Sequence, residues 1–192
     1  VGHAASTMAH LHETGLADVI RSLTQPVFGV CVGMQLLCSH SEEGDVDCLG
    51  IFPERVRQFR PNNGDKVPHM GWNQVQQVRD HPLCQGIPDL TRFYFVHSYA
   101  AVCEEESDLL GSTEYGGPVA AVIGRDNVVG IQFHPEVTHT SLGKEIMERF
   151  VIELCGCEAL WTPANIVEDA IQTVRTKVGS DKVLLGLSGG VD

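Results

Sequence analysis

The sequence has no long apolar run and few basic residues, and both absences limit the classes of protein that it can encode. No uninterrupted hydrophobic stretch approaches the ~20 residues that a helix needs to span a bilayer, so we expect no membrane partner. The 13 Lys and Arg residues are outnumbered by 25 Asp and Glu, which gives a formal net charge of −12. Because the basic residues are not clustered, such a chain would repel a phosphate backbone, and we expect no nucleic-acid partner.

The sequence also lacks the spacings of a disulfide framework or a metal site. Its 7 cysteines are an odd number at irregular intervals, which is typical of a reducing compartment. His40, His69 and His97 form no H-x-x-x-H pattern, and Cys155-Gly156-Cys157 is too short for a zinc knuckle. No basic stretch followed by an apolar core opens the chain. We therefore predict a cytoplasmic protein without a metal site.

The first part of the sequence predicts helix, strand and helix, with almost no loop between the last two. Apolar residues recur at helical spacing over residues 4–23, with an interruption at Gly15. Val27–Val30 is a short apolar run of the kind found in parallel strands buried on both faces. A helix follows over residues 34–37. Cys31 lies between this strand and this helix, so we expect it at a sharp turn.

The central part of the sequence predicts mainly strands. Residues 41–64 alternate acidic, Gly and Pro residues and predict loops and edge strands. Residues 92–99 are aromatic and β-branched, which favours a strand. Residues 119–123 and 128–133 predict two strands joined by a hairpin turn at residues 124–127.

The last part predicts an amphipathic helix over residues 142–154 and then a new pattern. That pattern is a helix over residues 164–178, started by Thr162-Pro163, and an apolar strand over residues 182–187. The strand runs into a Gly-rich turn at residues 188–192, and such a turn opens nucleotide-binding units.

These elements predict an α/β fold with a mixed, mostly parallel sheet flanked by helices, and Cys31 at the carboxyl end of a strand. We expect a first domain over residues 1–155, and the absence of an initiator Met indicates a fragment. Residues 156–192 would then be the start of a second, truncated domain, of which only the first helix and strand are present.

Gly29-Val30-Cys31-Val32-Gly33 has the form G-x-C-x-G, the thiol counterpart of the G-x-S-x-G nucleophile elbow. Glycines beside the nucleophile let the chain and a substrate approach closely, because they have no Cβ atoms. The dipole and free N–H groups at the start of the following helix would favour a thiolate on Cys31. The N–H of Val32 would point to the position where an oxyanion forms.

His134 and Glu136 are the predicted partners of this thiol. Acyl transfer needs a group that protonates the leaving nitrogen and later activates water, and His134 can do both. Glu136 could accept the other ring N–H of the histidine and fix its tautomer, as the acidic member of a triad does. Cys38, on the same helical face as Met34, is predicted to be a core residue.

Residues 26–37 and 130–136 resemble the class I (triad) glutamine amidotransferases. The resemblance implies a γ-glutamyl thioester on Cys31, release of ammonia and hydrolysis of the thioester, without a cofactor. It implies L-glutamine as the substrate and an ammonia-accepting synthase subunit or domain as the partner. The substrate-binding residues that it implies are Gly33, Gln35, His97, Ser98 and Tyr99.

Residues 1–136 resemble one branch of this family, the glutaminase subunit of imidazole glycerol phosphate synthase. Residues 67–73, 93–99 and 113–116 carry that resemblance. Val1-Gly2 is similar to the end of the branch's oxyanion strand. The resemblance implies that the N-terminal strands of the domain are missing and that Gly2 and Val32 together bind the oxyanion. This branch has Lys after the triad Glu, where Val137 stands here, so an ammonia exit built on that Lys is in doubt.

Residues 133–192 are similar instead to glutamine-hydrolysing GMP synthase. Residues 137–140, 157–163 and 184–192 carry this second resemblance. It implies that the chain ends in the opening of an ATP-pyrophosphatase domain, which binds ATP with Mg through a loop of backbone N–H groups. The residues of that loop would be Ser188, Gly189, Gly190, Val191 and Asp192.

The change of resemblance near residues 132–137 indicates a hybrid fragment. The main hypothesis is a glutaminase that supplies ammonia for histidine or GMP biosynthesis. A second hypothesis is a chimeric or truncated chain that binds glutamine or a partner without turnover. A third is a γ-glutamyl or cysteine peptidase, because an elbow and a triad on this scaffold are compatible with peptide substrates.

Overall fold

The computed structural model describes residues 2–60, 64–103, 106–137, 142–159 and 163–182. The chain divides into two compact units, residues 1–156 and residues 157–192. In the described part of the chain, no helix is both long and apolar enough to cross a membrane. The predicted nature of the second domain stays a prediction, because its loop over residues 188–192 and all of its strand over residues 182–187 except Lys182 lie outside the described residues.

The α-helices of the described residues range from 6 to 16 residues in length. Thr14 and Gly15 separate the first two, and Gly15 has a φ of 72°, a left-handed conformation that glycine adopts without strain. The predicted interruption at Gly15 is therefore confirmed. The helices are α1 (Ala4–Glu13), α2 (Leu16–Ser22), α3 (Val32–Leu37), α4 (Gly143–Glu148) and α5 (Pro163–Val178), with a 3₁₀ turn at Pro82–Cys84 and a π-helical segment at Arg149–Leu154.

The strands of the described residues form two sheets. One has six strands in the order β1-β10-β9-β8-β5-β6, and the other has four in the order β3-β2-β4-β7. The strands are β1 (Val27–Val30), β2 (His40–Ser41), β3 (Val46–Asp47), β4 (Arg55–Gln58), β5 (His69–Gln77), β6 (Thr91–His97), β7 (Tyr99–Val102), β8 (Leu109–Glu114), β9 (Pro118–Arg125) and β10 (Val128–Ile131).

The α/β class is confirmed, but the prediction of a mostly parallel sheet is wrong for the described strands. Parallel pairing joins β1 to β10 and β2 to β4, whereas the other pairings between these strands are antiparallel. The reason is the length of the connections. Asp126 and Asn127 alone join β9 to β10, and so short a loop can only reverse the chain, whereas parallel neighbours need a long crossover.

Two further elements differ from their predicted forms. The aromatic stretch predicted as one strand over residues 92–99 is divided at Ser98 into β6 and β7, which belong to different sheets. The helix predicted over residues 142–154 is α-helical only as far as Glu148 and then π-helical. The division at Ser98 matters for function, because it turns the backbone at the point where the resemblance predicts substrate contacts.

Two apolar clusters form the core of the first unit. One joins α1, α2 and α3 to the second sheet and to β9, with Met8, Met34 and Phe52 fully buried. The other joins β5, β6 and β10 to α4, and both Phe95 and Ile146 are almost fully buried in it. The buried side chains of these elements hold the carboxyl ends of β1 and β10 in place. The candidate site lies at these ends.

Candidate active site

Cys31 occupies a strained turn between β1 and α3. Its φ of 51° and ψ of −110° are costly for a residue with a side chain, and such conformations cluster at functional sites. The turn is held on both sides, since the Cys31 N–H donates to Ile131 O at 2.8 Å and the Gln35 N–H donates to Cys31 O at 3.2 Å. The side chain is 5% exposed. The sharp turn predicted from the G-x-C-x-G pattern is thus present.

The close packing of α3 on the sheet depends on glycines, though not on both that flank Cys31. A Cβ atom at Gly29 would lie 2.8 Å from backbone atoms of Gly33 and Met34, so a side chain there would push α3 away. A Cβ at Gly130 would lie 2.7 Å from the Met34 side chain. At Gly33, in contrast, it would meet no described atom within 4 Å. The close packing of α3 on the sheet therefore requires glycine at positions 29 and 130, and the predicted contact of Gly33 with substrate stays a prediction.

His134 follows β10 and faces the thiol of Cys31. Its backbone N–H donates to Tyr94 O at 2.9 Å, which fixes the segment against β6. Its Nδ1 lies 2.8 Å from Glu136 Oε1, and the imidazole is largely buried whereas the carboxylate is half exposed. The predicted pairing of His134 with Glu136 is therefore present in the geometry.

The surroundings of His134 favour its charged form. Its pKa is raised to about 9, mainly by the interaction with the Cys31 sulfur and then by the Glu136 carboxylate, against the opposing effect of burial. His134 Nε2 is buried and has no hydrogen bond of good geometry to the described residues. Cys31 nevertheless has the largest effect on the pKa of this ring. An imidazolium beside the sulfur is the arrangement that stabilises a thiolate.

A cavity of about 210 Å³ opens over the thiol. Of the predicted site residues, Gly33, His134 and Glu136 are not among those that line it, and the predicted ATP loop lies outside the described residues. A wider groove of about 460 Å³ between Gln77 and Ile87 contains none of the predicted site residues. The residues that line the cavity over the thiol are Gly2, Cys31, Val32, Gln35, Glu43, Pro68, Val96, His97, Ser98 and Tyr99.

Gln132 is a site residue for which the sequence suggested no role. It is 0% exposed, and its Nε2 donates to Cys31 Sγ at 3.7 Å. The Oε1 of Gln132 accepts from Gln35 Nε2 at 3.0 Å, and Gln35 Nε2 also donates to Tyr99 O at 2.8 Å. A polar residue that directly continues an apolar strand was the signal that could have identified it, because a buried amide needs partners.

His97, which lines the cavity, forms a second polar pair with His69. His69 Nδ1 lies 2.9 Å from His97 Nε2, and His97 Nδ1 lies 2.9 Å from Tyr99 O. Burial is the main cause that lowers the pKa of each ring to about 4. Both imidazoles are therefore neutral at physiological pH.

Comparison with known proteins agrees with this geometry. The family model of glutamine amidotransferase class-I matches residues 9–154. Imidazole glycerol phosphate synthase subunit HisH of Neisseria gonorrhoeae is 45% identical over 158 residues, covering 78% of this chain and 74% of the relative. The same subunit of Bacteroides thetaiotaomicron is 45% identical over 153 residues, covering 79% and 76%.

Solved structures share the fold. A crystal structure of a glutamine amidotransferase superposes with a TM-score of 0.59 at 18% identity, covering 81% of this chain and 76% of that one. A GMP synthase-like protein from Thermoplasma acidophilum gives a TM-score of 0.56 at 21% identity, covering 82% of this chain and 66% of that one, just under two thirds. At these identities the likeness concerns the fold alone. With the family match over residues 9–154, the conclusion is that this chain belongs to the class I glutamine amidotransferases.

Proposed function

We propose that this chain hydrolyses L-glutamine through a thioester on Cys31 and supplies the ammonia to an acceptor subunit of imidazole glycerol phosphate synthase, in histidine biosynthesis. The observation that carries the proposal is the strained Cys31 turn at the end of β1, next to the strand β10 that leads to His134 and its 2.8 Å contact with Glu136. The relatives named as HisH, at 45% identity over most of the chain, favour the histidine pathway over GMP synthesis as the destination of the ammonia.

In the first half-reaction, the Cys31 thiolate attacks the side-chain amide carbon of glutamine. A C–S bond forms and the C–N bond breaks, and His134 gives its Nε2 proton to the departing nitrogen, which leaves as ammonia. Glu136 keeps the other ring N–H bound at 2.8 Å, so the imidazole retains its orientation throughout.

The charge that develops on the amide oxygen needs donors close to the sulfur. Val32 is the first residue of α3, where backbone N–H groups have no partner within the helix. Gly2 lies beside it on the cavity wall, since a Cβ at Gly2 would be 3.5 Å from Val32 Cγ1. We assign the oxyanion to the N–H groups of these two residues.

In the second half-reaction, water attacks the thioester carbon while neutral His134 takes its proton. The C–S bond breaks, glutamate leaves, and Cys31 and His134 return to the thiolate and imidazolium forms. The balance of atoms requires only water, so we propose that glutamine hydrolysis here uses no cofactor.

The cavity suits a single amino acid. Its volume of about 210 Å³ is below the ~300–1,000 Å³ of sites that take drug-sized ligands. The Nε2 hydrogens of Gln35 are donated to Tyr99 O and to Gln132 Oε1. The group that Gln35 can offer a ligand is therefore its own Oε1, an acceptor for the α-ammonium of glutamine. The backbone of residues 97–99 would hold the remaining α-substituents.

Three predictions from the sequence remain proposals. ATP with Mg would be needed only by the segment around Ser188–Asp192, if the chain continues as an ATP-pyrophosphatase domain. The hybrid origin would be tested by reading the uninterrupted DNA across the codons for residues 132–137. A cytoplasmic location would follow from a role in amino-acid biosynthesis.

The test of the proposed function is release of glutamate and ammonia from L-glutamine, with and without the acceptor subunit of the synthase. Cys31→Ala should abolish release, whereas Cys157→Ala, which changes an exposed thiol in the second unit, should leave it unchanged. Release that survives in Cys31→Ala would refute the assignment. Faster cleavage of γ-glutamyl peptides than of free glutamine would instead favour the peptidase hypothesis.

A further inference from the structure

A continuous series of side-chain hydrogen bonds runs from the catalytic thiol to β5. It begins with Gln132 Nε2 at 3.7 Å from Cys31 Sγ and continues through Gln35 to the carbonyl of Tyr99. On the other side of that carbonyl it passes through His97 to His69 and ends at Asn73, whose Nδ2 lies 3.4 Å from His69 Nε2. The following argument rests on the proposed function of the cavity.

The chemistry of these groups fixes the position of every proton between Tyr99 and Asn73. A carbonyl oxygen can only accept, so His97 Nδ1 must carry a hydrogen, and in a neutral ring His97 Nε2 must then accept. The facing His69 Nδ1 must therefore donate, which leaves His69 Nε2 as an acceptor for Asn73 Nδ2. Both rings are thus held as the tautomer protonated on Nδ1.

Protonation of either ring would break this arrangement. A second hydrogen on His97 would place two N–H groups face to face across 2.9 Å. Burial and the neighbouring histidine keep the pKa of His69 near 4, against the weaker effect of Asp65, and burial and His134 do the same for His97. The titratable groups that face the pair are Asp65, His134 and Tyr115, whose ring stacks on His69 with centroids 3.9 Å apart.

We propose that His69 and His97 are positioning residues, which hold the Tyr99 carbonyl and through it the orientation of the Gln35 amide toward glutamine. With the carbonyl fixed, Gln35 donates to it and presents Oε1 to the substrate. Gln132 Oε1 accepts from the same Gln35 nitrogen, so loss of the Tyr99 acceptor removes one of the two contacts that keep the amide from rotating and presenting its NH₂ group to the ammonium of glutamine. The pair therefore acts on the binding of glutamine and not on bond cleavage.

The first test is the ¹⁵N NMR spectrum of the imidazole nitrogens in the protein of residues 1–192 at neutral pH. The spectra of His69 and His97 should each show a protonated Nδ1 and an unprotonated Nε2. A ring that is protonated on Nε2, or charged, would overturn the inference, and this readout does not depend on turnover.

The second test separates binding from chemistry. His97→Leu removes the donor to Tyr99 O and should raise KM for glutamine about tenfold while kcat changes less than about threefold. His97→Asn, whose Nδ2 replaces the imidazole Nδ1, should return KM to near the wild-type value. A rise in KM that His97→Asn does not reverse, or an equal loss of kcat, would show a merely structural role and refute the proposal.

His69→Leu provides a variant that leaves the Tyr99 contact intact but removes the partner that sets the tautomer of His97. It should lose the single Nδ1–H tautomer of His97 and raise KM in the same direction as His97→Leu. Thermal unfolding monitored by circular dichroism identifies variants that fail to fold. A wild-type protein without glutaminase activity would refute the proposed function, whereas an active wild type with unaffected variants would refute only this inference.

Discussion

Gln35 Nε2 lies 3.0 Å from Gln132 Oε1, so the helix that follows the nucleophile and the segment that carries His134 are joined beside the thiol. The two residues are 97 positions apart in the chain. Gln132 completes the connection by donating to Cys31 Sγ. Its two contacts join the glutamine-binding side of the cavity to the reacting sulfur.

Replacement of Gln132 should therefore affect the chemical step. Gln132→Met keeps the volume but removes the donor to the thiolate, and hydrogen bonds to charged groups contribute about 1.5–3 kcal/mol, so kcat should fall about 10- to 100-fold. Steady-state kinetics with glutamine provide the measurement. Gln76→Met, at an exposed position of β5, is the matched control. An unchanged kcat in Gln132→Met would contradict the role assigned to the donor.

The packing of α3 on β1 makes a prediction about stability. Gly29→Ala places a Cβ 2.8 Å from the backbone of Gly33 and Met34, and such overpacking costs about 1–3 kcal/mol in the free energy of unfolding. Gly33→Ala has no described atom within 4 Å and should be neutral or slightly stabilising, since alanine favours a helix over glycine. Urea unfolding of both variants checks the contrast. Equal stabilities would show that the helix can shift without cost.

The charge of His134 makes a prediction about pH. Cys31→Ala should lower the pKa of His134 from about 9 by more than Glu136→Gln does, because the sulfur exerts the larger effect. The raised pKa means that His134 stabilises the folded protein fully below its unfolded value of 6.5, and that this contribution is lost as the pH rises through about 9. NMR titration of the imidazole Cε1–H measures each pKa. A pKa that neither substitution lowers would rule out this origin of the shift.

The ion pair between Arg125 and Asp108 predicts a stability effect far from the cavity. Arg125 Nε lies 2.9 Å from Asp108 Oδ1, and the Asp108 side chain is 3% exposed, so removing the arginine leaves a buried carboxylate without its cation. Arg125→Leu should lower the free energy of unfolding by about 2–3 kcal/mol. The double variant Arg125→Leu/Asp108→Leu should recover part of that loss in urea unfolding. A double variant less stable than the single one would contradict the argument.

Local sequence patterns were enough to predict the nucleophile turn and several elements. The G-x-C-x-G pattern encodes the turn at Cys31 within five residues, and the break at Gly15 and the hairpin at Asp126 depend on neighbouring residues alone. The pairing of His134 with Glu136 was also accessible, because the two are separated by one residue.

Contacts between distant strands could not be predicted in the same way. His69 and His97 meet only because β5 and β6 pair antiparallel with these residues opposite each other, and that register depends on the whole sheet. The role of Gln132 likewise depends on β10 lying beside α3. The direction of the sheet was mispredicted because apolar strands such as β9 are buried here while their neighbours run antiparallel.

The hydrogen bond from the Cys31 N–H to Ile131 O extends the parallel ladder of β1 and β10 by one residue, into the nucleophile itself. That amide can exchange with deuterium only when the two strands separate, so its protection should equal that of the most slowly exchanging amides of β10. Surface loops can open and close without separating Cys31 from His134. The backbone of Cys31 is bound to Ile131 of β10, and the backbone of His134 is bound to Tyr94 of β6. The position of the reactive sulfur should therefore be as stable as the sheet, and it should change only when the sheet unfolds.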